Sequence, residues 1–255
     1  MRDGAWSYQY LVDVKKLDRM GDLRYDPEEG LTIGAAVNMN QVIACAPARE
    51  HYPLLVEAAS RVASYQLRSR ATIAGNICNA SPAGDTIGAC LLLDGILQVH
   101  GSDGARQEPL AAFFLGPGKT KLDPGDILTA IRLPVPPKGM AGKYLKLGRN
   151  KSGDLAIVGV SAAGYPDAKL ASGYRFRLAL ASVAPVPLIL EQVELLLSEG
   201  KITEERLAQA AQIAMQACTP IDDVRGGARY RKMMVRNLSY NALLDVWNQL
   251  KSAEN

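Results

Sequence analysis

The sequence has few of the residues that build metal centres. Only two of its 255 residues are histidine. Neither His51 nor His100 has a second histidine, a cysteine or a carboxylate at metal-ligand spacing. This scarcity argues against a histidine-based metal site.

Cysteine is also scarce. Cys45, Cys78, Cys90 and Cys218 form no C-x-x-C pair, whereas iron–sulfur clusters and zinc knuckles need closely spaced cysteines. The start of the chain, Met1–Trp6, contains no apolar segment of the kind that a secretion signal requires. We therefore expect four free thiols in a cytoplasmic protein.

Long apolar runs and a strong excess of charge are missing too. The longest apolar stretch, Leu178–Leu197, is interrupted by prolines and glutamates, so it does not supply the roughly 20 apolar residues of a membrane span. The 29 basic and 26 acidic side chains leave a net charge of +3, which is too small to indicate nucleic acid or an anionic membrane as a partner. With 48% hydrophobic and 22% charged residues, the composition is that of an ordinary globular protein.

One segment rich in proline and glycine divides the chain. Pro134–Gly142 contains three prolines and two glycines, which interrupt regular structure. A length of 255 residues allows one large domain or two smaller ones. We therefore predict two domains, residues 1–137 and residues 138–255.

Apolar patterning predicts strands on both sides of this boundary. Leu31–Ala35 and Ile127–Leu133 have strand character in the first domain. Ala156–Ala163 and Tyr174–Val183 alternate large and small apolar residues in the second. Pro53–Ser64 is predicted to be a helix, because proline is favoured in the first helical turn.

Two helices are predicted near the C-terminus. The first begins after Thr203, a suitable N-cap followed by two glutamates, and ends near Cys218. The second covers Ala228–Leu250. Its predicted buried face consists of Tyr230, Met233, Met234, Leu238 and Leu243. Because strands precede helices here, the second domain is predicted to have an α+β fold.

The most informative segment lies between Arg68 and Asp85. Small residues in Thr72–Asn76 allow a ligand to approach the backbone closely, and Arg68 and Arg70 add positive charge upstream. Successive N–H groups in such a turn can bind a phosphate or pyrophosphate, and Asp85 can accept hydrogen bonds from ribose hydroxyls. A tight turn with a helix-capping aspartate would show the same pattern, so the residues alone leave both interpretations open.

Gly116–Thr120 looks like the end of a nucleoside-triphosphate-binding loop but lacks two of its parts. Such a loop needs a glycine where this chain has Phe113, and a helix where Leu122–Asp126 predicts a turn. The segment therefore does not indicate a nucleoside triphosphatase.

Two further segments are basic. Lys146 and Arg149, within Lys143–Asp154, could neutralise a phosphate, although an exposed basic hairpin would have the same composition. Asp223–Lys232 and the nearby Arg236 combine basic residues with a tyrosine. On a helix such charges usually form a solvated or partner-facing surface, and the small net charge argues against nucleic acid.

Six segments, taken in chain order, carry a resemblance to a known family. They are Leu31–Val37, Arg70–Ile77, Ala80–Asp85, Asp126–Pro134, Lys146–Gly159 and Asp223–Arg231. Their order and spacing resemble the flavin-binding medium subunit of the molybdenum hydroxylases, the family that contains xanthine dehydrogenases and aerobic carbon monoxide dehydrogenases. The resemblance covers nearly the whole chain.

The resemblance implies an α+β fold in which an FAD-binding domain of the molybdopterin-dehydrogenase flavoprotein type, incomplete at its N-terminus, precedes a smaller α+β C-terminal domain with a sheet and helices. It also implies noncovalently bound FAD. The implied cofactor-binding residues are Thr72, Ile73, Ala74, Gly75, Asn76, Asp85, Leu128, Lys146 and Leu155. The amides of the first five would surround the pyrophosphate, and Asp85 would hold a hydroxyl group. Leu128 and Leu155 would pack against the cofactor, and Lys146 would add a polar or charged contact.

In this family a molybdenum–pterin centre on a large subunit hydroxylates the substrate, and iron–sulfur clusters on a small subunit pass electrons to the flavin. The resemblance therefore implies an electron-transfer subunit of a cytoplasmic heterotrimer, with NAD, a quinone or oxygen as acceptor. No catalytic residue is expected in this chain, because the redox chemistry belongs to the flavin. The alternative is a flavin-free interaction subunit or a truncated relic of the same family.

The chain departs from the family's pattern in two places. Ala74 stands where the family often has glycine, and alanine is tolerated there if its φ is negative. The family also carries an earlier Gly-Gly-Thr turn, which grips the other side of the pyrophosphate and normally precedes the residues matching Met1–Gly4. A truncated sequence, a late start or a real loss would each explain its absence. A real loss would weaken FAD binding by several kcal/mol, at about 1.5–3 kcal/mol per hydrogen bond to a charged group.

Overall fold

The computed structural model of the chain describes residues 10, 12–150 and 153–253. Met1–Gly4, the residues that the resemblance places directly after the glycine-rich turn, lie outside this described part. The strands are β1 (Leu23–Asp26), β2 (Gly30–Gly34), β3 (Ile96–Gly101), β4 (Gly104–Pro109), β5 (Phe114–Gly116), β6 (Lys119–Thr120), β7 (Ile127–Leu133), β8 (Ala141–Leu147), β9 (Val158–Pro166), β10 (Tyr174–Ala181) and β11 (Leu188–Ile189). The α-helices are α1 (Met39–Ala44), α2 (Ala46–His51), α3 (Pro53–Ser60), α4 (Tyr65–Arg68), α5 (Ile73–Asn79), α6 (Ile87–Leu92), α7 (Glu191–Ser198), α8 (Glu204–Ala217) and α9 (Ala228–Ala253).

The N-terminal part is built on a five-stranded antiparallel sheet with the order β1-β2-β7-β3-β4. Strand β7 has the bounds predicted from its apolar pattern, and β2 lies within one residue of its predicted position. Every residue of β2 is buried, which explains the continuous small and apolar sequence of this strand. Helices α5 and α6 pack near this sheet and carry the segment that the sequence singled out.

The helix predicted at Pro53–Ser64 is shorter than expected. Helix α3 ends at Ser60, and the backbone N–H groups of Arg61 and Val62 bond to carbonyls three residues earlier. Ala63 then adopts a positive φ of 39°, a conformation that an α-helix cannot contain. The predicted C-terminal end of this helix was therefore wrong.

The C-terminal part contains a four-stranded antiparallel sheet with the order β11-β10-β9-β8. The strand predicted at Ala156–Ala163 instead begins at Val158 and continues to Pro166. Strand β9 packs against α6 and α9, and its first seven residues are buried. Gly88 of α6 lies so close to this strand that a Cβ there would be 2.7 Å from Ser161 Oγ. Helix α6 thus joins the N-terminal core to the C-terminal sheet.

Helix α9 packs on the C-terminal sheet, and α8 packs against α7 and α9. Thr203 caps α8, as predicted, by accepting a hydrogen bond from the N–H of Arg206 at 3.3 Å. The predicted buried face of α9 is wrong in part, because Tyr230 and Met233 are 46% and 43% exposed. The buried residues of α9 are Arg231, Val235, Ser239, Ala242, Leu243, Val246 and Leu250. Because Arg231 is buried at the start of this helix, the buried face does not include Tyr230 or Met233.

Candidate functional site

The Thr72–Asn76 segment is the first turn of a helix rather than a loop. Thr72 is the N-cap of α5, and its Oγ1 accepts a hydrogen bond from the N–H of Gly75 at 2.8 Å. Helix geometry leaves the N–H groups of the first turn without intrahelical acceptors. The isolated antiparallel bridge between Asn38 and Thr72 directs the N–H of Ile73 toward the carbonyl of Val37. Within the described part of the chain, the N–H of Ala74 has no acceptor. Ala74 has the negative φ of a helical residue, so its methyl group does not disturb the turn.

Gly75 is exposed on this helix, and the contacts of the chain itself do not explain why glycine occupies the position. A Cβ at position 75 would meet only Thr72 Oγ1, at 3.0 Å, and its φ is not positive. Glycine within a helix costs about 1 kcal/mol relative to alanine. An open surface above Gly75, next to the unpaired N–H group of Ala74, suits a ligand that must approach the backbone closely.

Charge near this turn comes from one of the two upstream arginines. Arg68 is directed inward, where its Nη1 donates to the carbonyl of Val62 at 2.8 Å. Arg70 is exposed, and no carboxylate of the described residues pairs with it. Two residues before the cap, Arg70 therefore provides a cation close to the N-terminus of α5.

Asp85 lies beside this helix and is almost completely buried, at 6% exposure. Asn76 Nδ2 donates to Thr86 Oγ1 at 3.2 Å, which ties α5 to the residue after Asp85. The Asp85 carboxylate accepts hydrogen bonds from Tyr144 Oη at 2.6 Å and from Lys146 Nζ at 2.7 Å. The alternative of a helix-capping aspartate is therefore wrong, because Thr86 is the N-cap of α6 and has no side-chain capping bond.

Burial and charge act in opposite directions on this buried trio. Burial raises the pKa of Asp85, whereas Lys146 and the two hydrogen bonds lower it. Burial and the nearby carboxylate raise the pKa of Tyr144 well above its ordinary value, so the phenol keeps its proton and donates it. Lys146 Nζ also donates to the carbonyl of Arg61 at 3.1 Å. Each polar atom of the trio thus has a partner.

Tyr144 was missed by sequence reasoning, although a signal was present. Residues two apart in a strand point to the same face, and Tyr144 and Lys146 are two apart in β8. Once Lys146 is considered a site residue, this spacing brings Tyr144 to the same face of the sheet.

The remaining predicted residues lie on two sides of this centre. Leu128 is on β7, which α5 contacts, and it is buried in the N-terminal core. Leu155 is 55% exposed and lines a cavity of about 240 Å³ together with Pro82 and Ala83, which shortly precede Asp85. Lys146 lines a separate, polar cavity of about 360 Å³. The structure therefore brings Lys146 to Asp85 beside α5, whereas Leu128 lies in the N-terminal core and Leu155 lines a different cavity from Lys146.

The described basic residues of the Lys143–Asp154 segment are paired with carboxylates. Arg149 pairs with Asp154, with its Nε 3.1 Å from the carboxylate. The Arg149 side chain, together with backbone N–H groups, lowers the pKa of Asp154. Arg149 is therefore less available to a phosphate than its sequence position indicated.

The described residues lack two features, a cluster of metal ligands and a membrane-spanning helix. No group of three or more histidine, cysteine, aspartate or glutamate side chains in this part of the chain is arranged to hold a metal ion. Across the same residues, no helix has the length and apolar character needed to cross a membrane. All four cysteines are free thiols.

Comparisons with known proteins place similar sequences and folds over almost the whole chain. The sequence model of a family described as "FAD binding domain in molybdopterin dehydrogenase" matches residues 1–136. A second, described as "CO dehydrogenase flavoprotein C-terminal domain", matches residues 143–246.

Individual relatives agree with these matches. The carbon monoxide dehydrogenase medium chain of Hydrogenophaga pseudoflava is 32% identical over 94% of this chain and 82% of the relative. The xanthine dehydrogenase FAD-binding subunit of Escherichia coli O157:H7 is 28% identical over the same shares, 94% and 82%. A solved structure of carbon monoxide dehydrogenase from Hydrogenophaga pseudoflava, which lacks the Mo-pyranopterin moiety, superimposes with a TM-score of 0.87 at 30% identity, over 93% of this chain and 81% of that one.

Proposed function

Because the chain belongs to the family of FAD-binding flavoprotein subunits of the molybdenum hydroxylases, we propose that it transfers electrons within such a complex. The electrons would come from iron–sulfur clusters of a small partner subunit and pass through FAD to NAD, a quinone or oxygen. A large partner subunit would carry the molybdopterin centre that acts on the substrate. The complex is proposed to work in the cytoplasm, where free thiols are maintained.

The family, the α+β fold class and the FAD cofactor predicted from the sequence are confirmed. The domain bounds of 137 and 138 and the nine cofactor-binding residues stay predictions. The electron donor and acceptor are part of the proposal.

The first turn of α5, which is exposed at Gly75, is the observation that carries this proposal. Ala74 would donate its unpaired N–H group to the pyrophosphate, and Gly75 would leave room for it. Thr72 fixes the turn through its capping hydroxyl, and Arg70 adds positive charge. When bound, FAD supplies the redox chemistry, and the chain supplies its position and electrostatic surroundings.

Asp85 would accept a hydrogen bond from a hydroxyl group of the cofactor in this proposal. Each of its oxygens already accepts one hydrogen bond from the protein, and a carboxylate oxygen can accept a second. A cofactor hydroxyl would use this remaining capacity at the small exposed part of the side chain. Burial raises the pKa of Asp85, and Lys146 opposes this rise through its charge and its hydrogen bond, which favours the ionised, accepting form.

The same contacts support a subunit without an acid–base residue of its own. A general base needs a proton-accepting group that can reach a substrate. Asp85 is engaged by Lys146 and Tyr144, and Tyr144 is fully buried. The buried polar groups near α5 thus serve to hold and orient rather than to exchange protons.

Flavin content and electron transfer test the proposal separately. The purified, folded chain should bind FAD added in solution and show the yellow absorbance of bound flavin. In the assembled complex, a Gly75→Asp chain should leave cluster reduction by dithionite intact but abolish transfer from the clusters to NAD, quinone or oxygen. A Gly75→Ala chain is the matched control for the substitution itself.

Two results would contradict the proposal. A folded chain that takes up no FAD would favour the flavin-free interaction subunit. A complex that still reduced all three acceptors after losing its flavin would show that the electrons take another route.

A further inference from the structure

An exposed surface near the C-terminus borders the proposed flavin site but contains none of the nine predicted cofactor-binding residues. It consists of the turn before α9 and the first exposed face of that helix, and we call it the 221–236 face. Its members are Ile221, Val224, Arg229, Tyr230, Met233 and Arg236. Val224 is 93% exposed, although apolar residues gain free energy by leaving water.

The turn that presents Val224 is held rigidly. The carboxylate of Asp223 accepts hydrogen bonds from the N–H of Arg225 at 2.8 Å and from Arg231 Nη2 at 2.5 Å. Arg231 is buried and also donates to the carbonyl of Ser182 at 2.9 Å. The chain therefore uses a buried arginine and several hydrogen bonds to hold an apolar side chain in water. Such preorganisation lowers the entropic cost of binding a partner.

The composition of the face is that of a protein interface. Met233 lies three residues after Tyr230 and four after Arg229, so it is a neighbour of both on the surface of α9. Tyrosine, methionine and arginine are enriched at protein interfaces, whereas glutamate and aspartate are depleted. Among the described residues, no carboxylate pairs with Arg229 or Arg236. The nearby Asp223 is engaged within the turn.

The face is also continuous with the region proposed to bind the flavin. Ile221 and Arg225 line the same cavity of about 240 Å³ as Leu155, Pro82 and Ala83. A protein bound over Ile221 would thus lie beside residues that lead directly to Asp85. In the proposed function, the protein that must come near the flavin is the electron donor.

We propose that the 221–236 face is the docking surface for the iron–sulfur partner chain, which presents an apolar patch bordered by carboxylates. This proposal rests on the proposed function. Charge favours an acidic protein surface, because the exposed arginines of the face lack counter-ions. The chain's net charge of +3 is too small for the extended basic surface that nucleic acid requires, and two cations beside a few apolar residues do not make a membrane-binding helix.

Site-specific photocrosslinking in the native organism tests the identity of the partner. A photoreactive amino acid is placed at Val224 or at Met233, and in the control at Leu195, which is 62% exposed on α7. Mass spectrometry should identify the crosslinked peptide from Val224 and Met233 as part of the iron–sulfur chain, with no such product from Leu195. Crosslinks only to the molybdopterin chain, to a second copy of this chain, to lipid or to nucleic acid would overturn the proposal, as would no crosslink above the control.

Charge reversal tests the energetics of the same face. Arg229→Glu with Arg236→Glu should raise the dissociation constant for the purified iron–sulfur chain at least about thirtyfold, because two charges then repel the partner's carboxylates. Arg24→Glu with Lys119→Glu is the control, since it reverses two exposed charges in the N-terminal part. An equal effect of both pairs would refute specific docking at this face.

Flavin content keeps this proposal distinct from the proposed function. The Arg229→Glu/Arg236→Glu chain should bind FAD like the parent, because neither residue belongs to the predicted cofactor site. Retained flavin with unchanged partner binding would refute the docking surface alone. Lost flavin in the parent chain, with crosslinking still directed to the iron–sulfur chain, would refute the proposed function alone.

Discussion

Position 75 allows the contribution of one residue to folding to be separated from its contribution to cofactor binding. Gly75 is the third residue of α5 and is exposed, and a Cβ there would contact only the capping hydroxyl of Thr72. Acidic side chains in the first turn stabilise a helix by about 0.3–1 kcal/mol. Removing a helical glycine adds several tenths of a kcal/mol. Gly75→Asp should therefore leave the free energy of unfolding unchanged or raise it by up to about 1 kcal/mol.

The same substitution should strongly weaken FAD binding. It places a negative charge where the pyrophosphate is proposed to lie. Two unit charges about 4 Å apart, at the effective dielectric constant of about 20 that suits protein surfaces, interact by about 4 kcal/mol. That energy corresponds to roughly a thousandfold increase in the dissociation constant of FAD.

Gly75→Asn is the matched control, because asparagine has nearly the same size as aspartate but no charge. It should weaken FAD binding by a smaller factor that reports steric crowding alone. FAD binding is measured by equilibrium titration of the flavin absorbance, and stability by urea unfolding of the apo chains. The ratio of the dissociation constants of the aspartate and asparagine variants then isolates the electrostatic part.

Three results would refute the reasoning at different points. Equal FAD binding by the aspartate and asparagine variants would show that no phosphate charge lies near position 75. Parental binding by both would show that α5 does not face the cofactor. Marked destabilisation of the apo aspartate variant would show that the first turn of α5 has contacts beyond Thr72.

Other substitutions test the buried contacts. Asp85→Ala should raise the dissociation constant of FAD about tenfold, which is a smaller effect than that of Gly75→Asp. It should also destabilise the apo chain by about 3–5 kcal/mol, because Lys146 loses its buried counter-ion. An unchanged free energy of unfolding in urea would contradict the ion pair. Tyr144→Phe should cost about 1.5–3 kcal/mol in urea unfolding, because it removes a hydrogen bond to a buried carboxylate; a loss below about 0.5 kcal/mol would refute it. The N–H of Arg225, followed by the side chains of the neighbouring arginines, lowers the pKa of Asp223 to about 2. The ionised Asp223 should thus stabilise the folded chain fully above about pH 4, the ordinary pKa range of an unfolded aspartate. This stabilisation should be lost as the pH falls toward 2. Asp223→Asn should flatten this acid limb in pH-dependent unfolding, and parallel curves for parent and variant would contradict the assignment.

Local sequence patterns predict some elements of this fold well. Strand β7 was predicted with its observed bounds, because its alternation of apolar residues reflects burial along a single strand. The end of α3 was not predictable in this way. Ala63 stops the helix through a positive φ, and alanine gives no sequence signal for that conformation.

The buried face of α9 shows why tertiary contacts can override hydrophobic patterning. Arg231 occupies a buried position because the carbonyls of Ile157 and Ser182 and the carboxylate of Asp223 accept its N–H groups. Two of these acceptors lie 74 and 49 residues away along the chain. A hydrophobicity pattern cannot include such acceptors, so it assigned burial to Tyr230, which is exposed.

The candidate site was predictable in its sequence position but not in its contacts. Thr72–Asn76 and Asp85 were found from small residues and a nearby carboxylate. The partners of Asp85 come from β8, 59 and 61 residues further along the chain. No local pattern connects the two segments, so the sequence could not show that Asp85 is held in a buried ion pair.

This ion pair also determines which experiment is informative. Asp85 follows α5 in the N-terminal part of the chain, whereas Tyr144 and Lys146 belong to the C-terminal sheet. The carboxylate therefore joins the two parts, and its removal would loosen their contact as well as any hydroxyl contact of the cofactor. Flavin loss from an Asp85 variant would have two possible causes. A Cβ added at Gly75 would meet no atom across this junction, so flavin loss caused by its substitution, with unchanged unfolding, would report the cofactor contact alone.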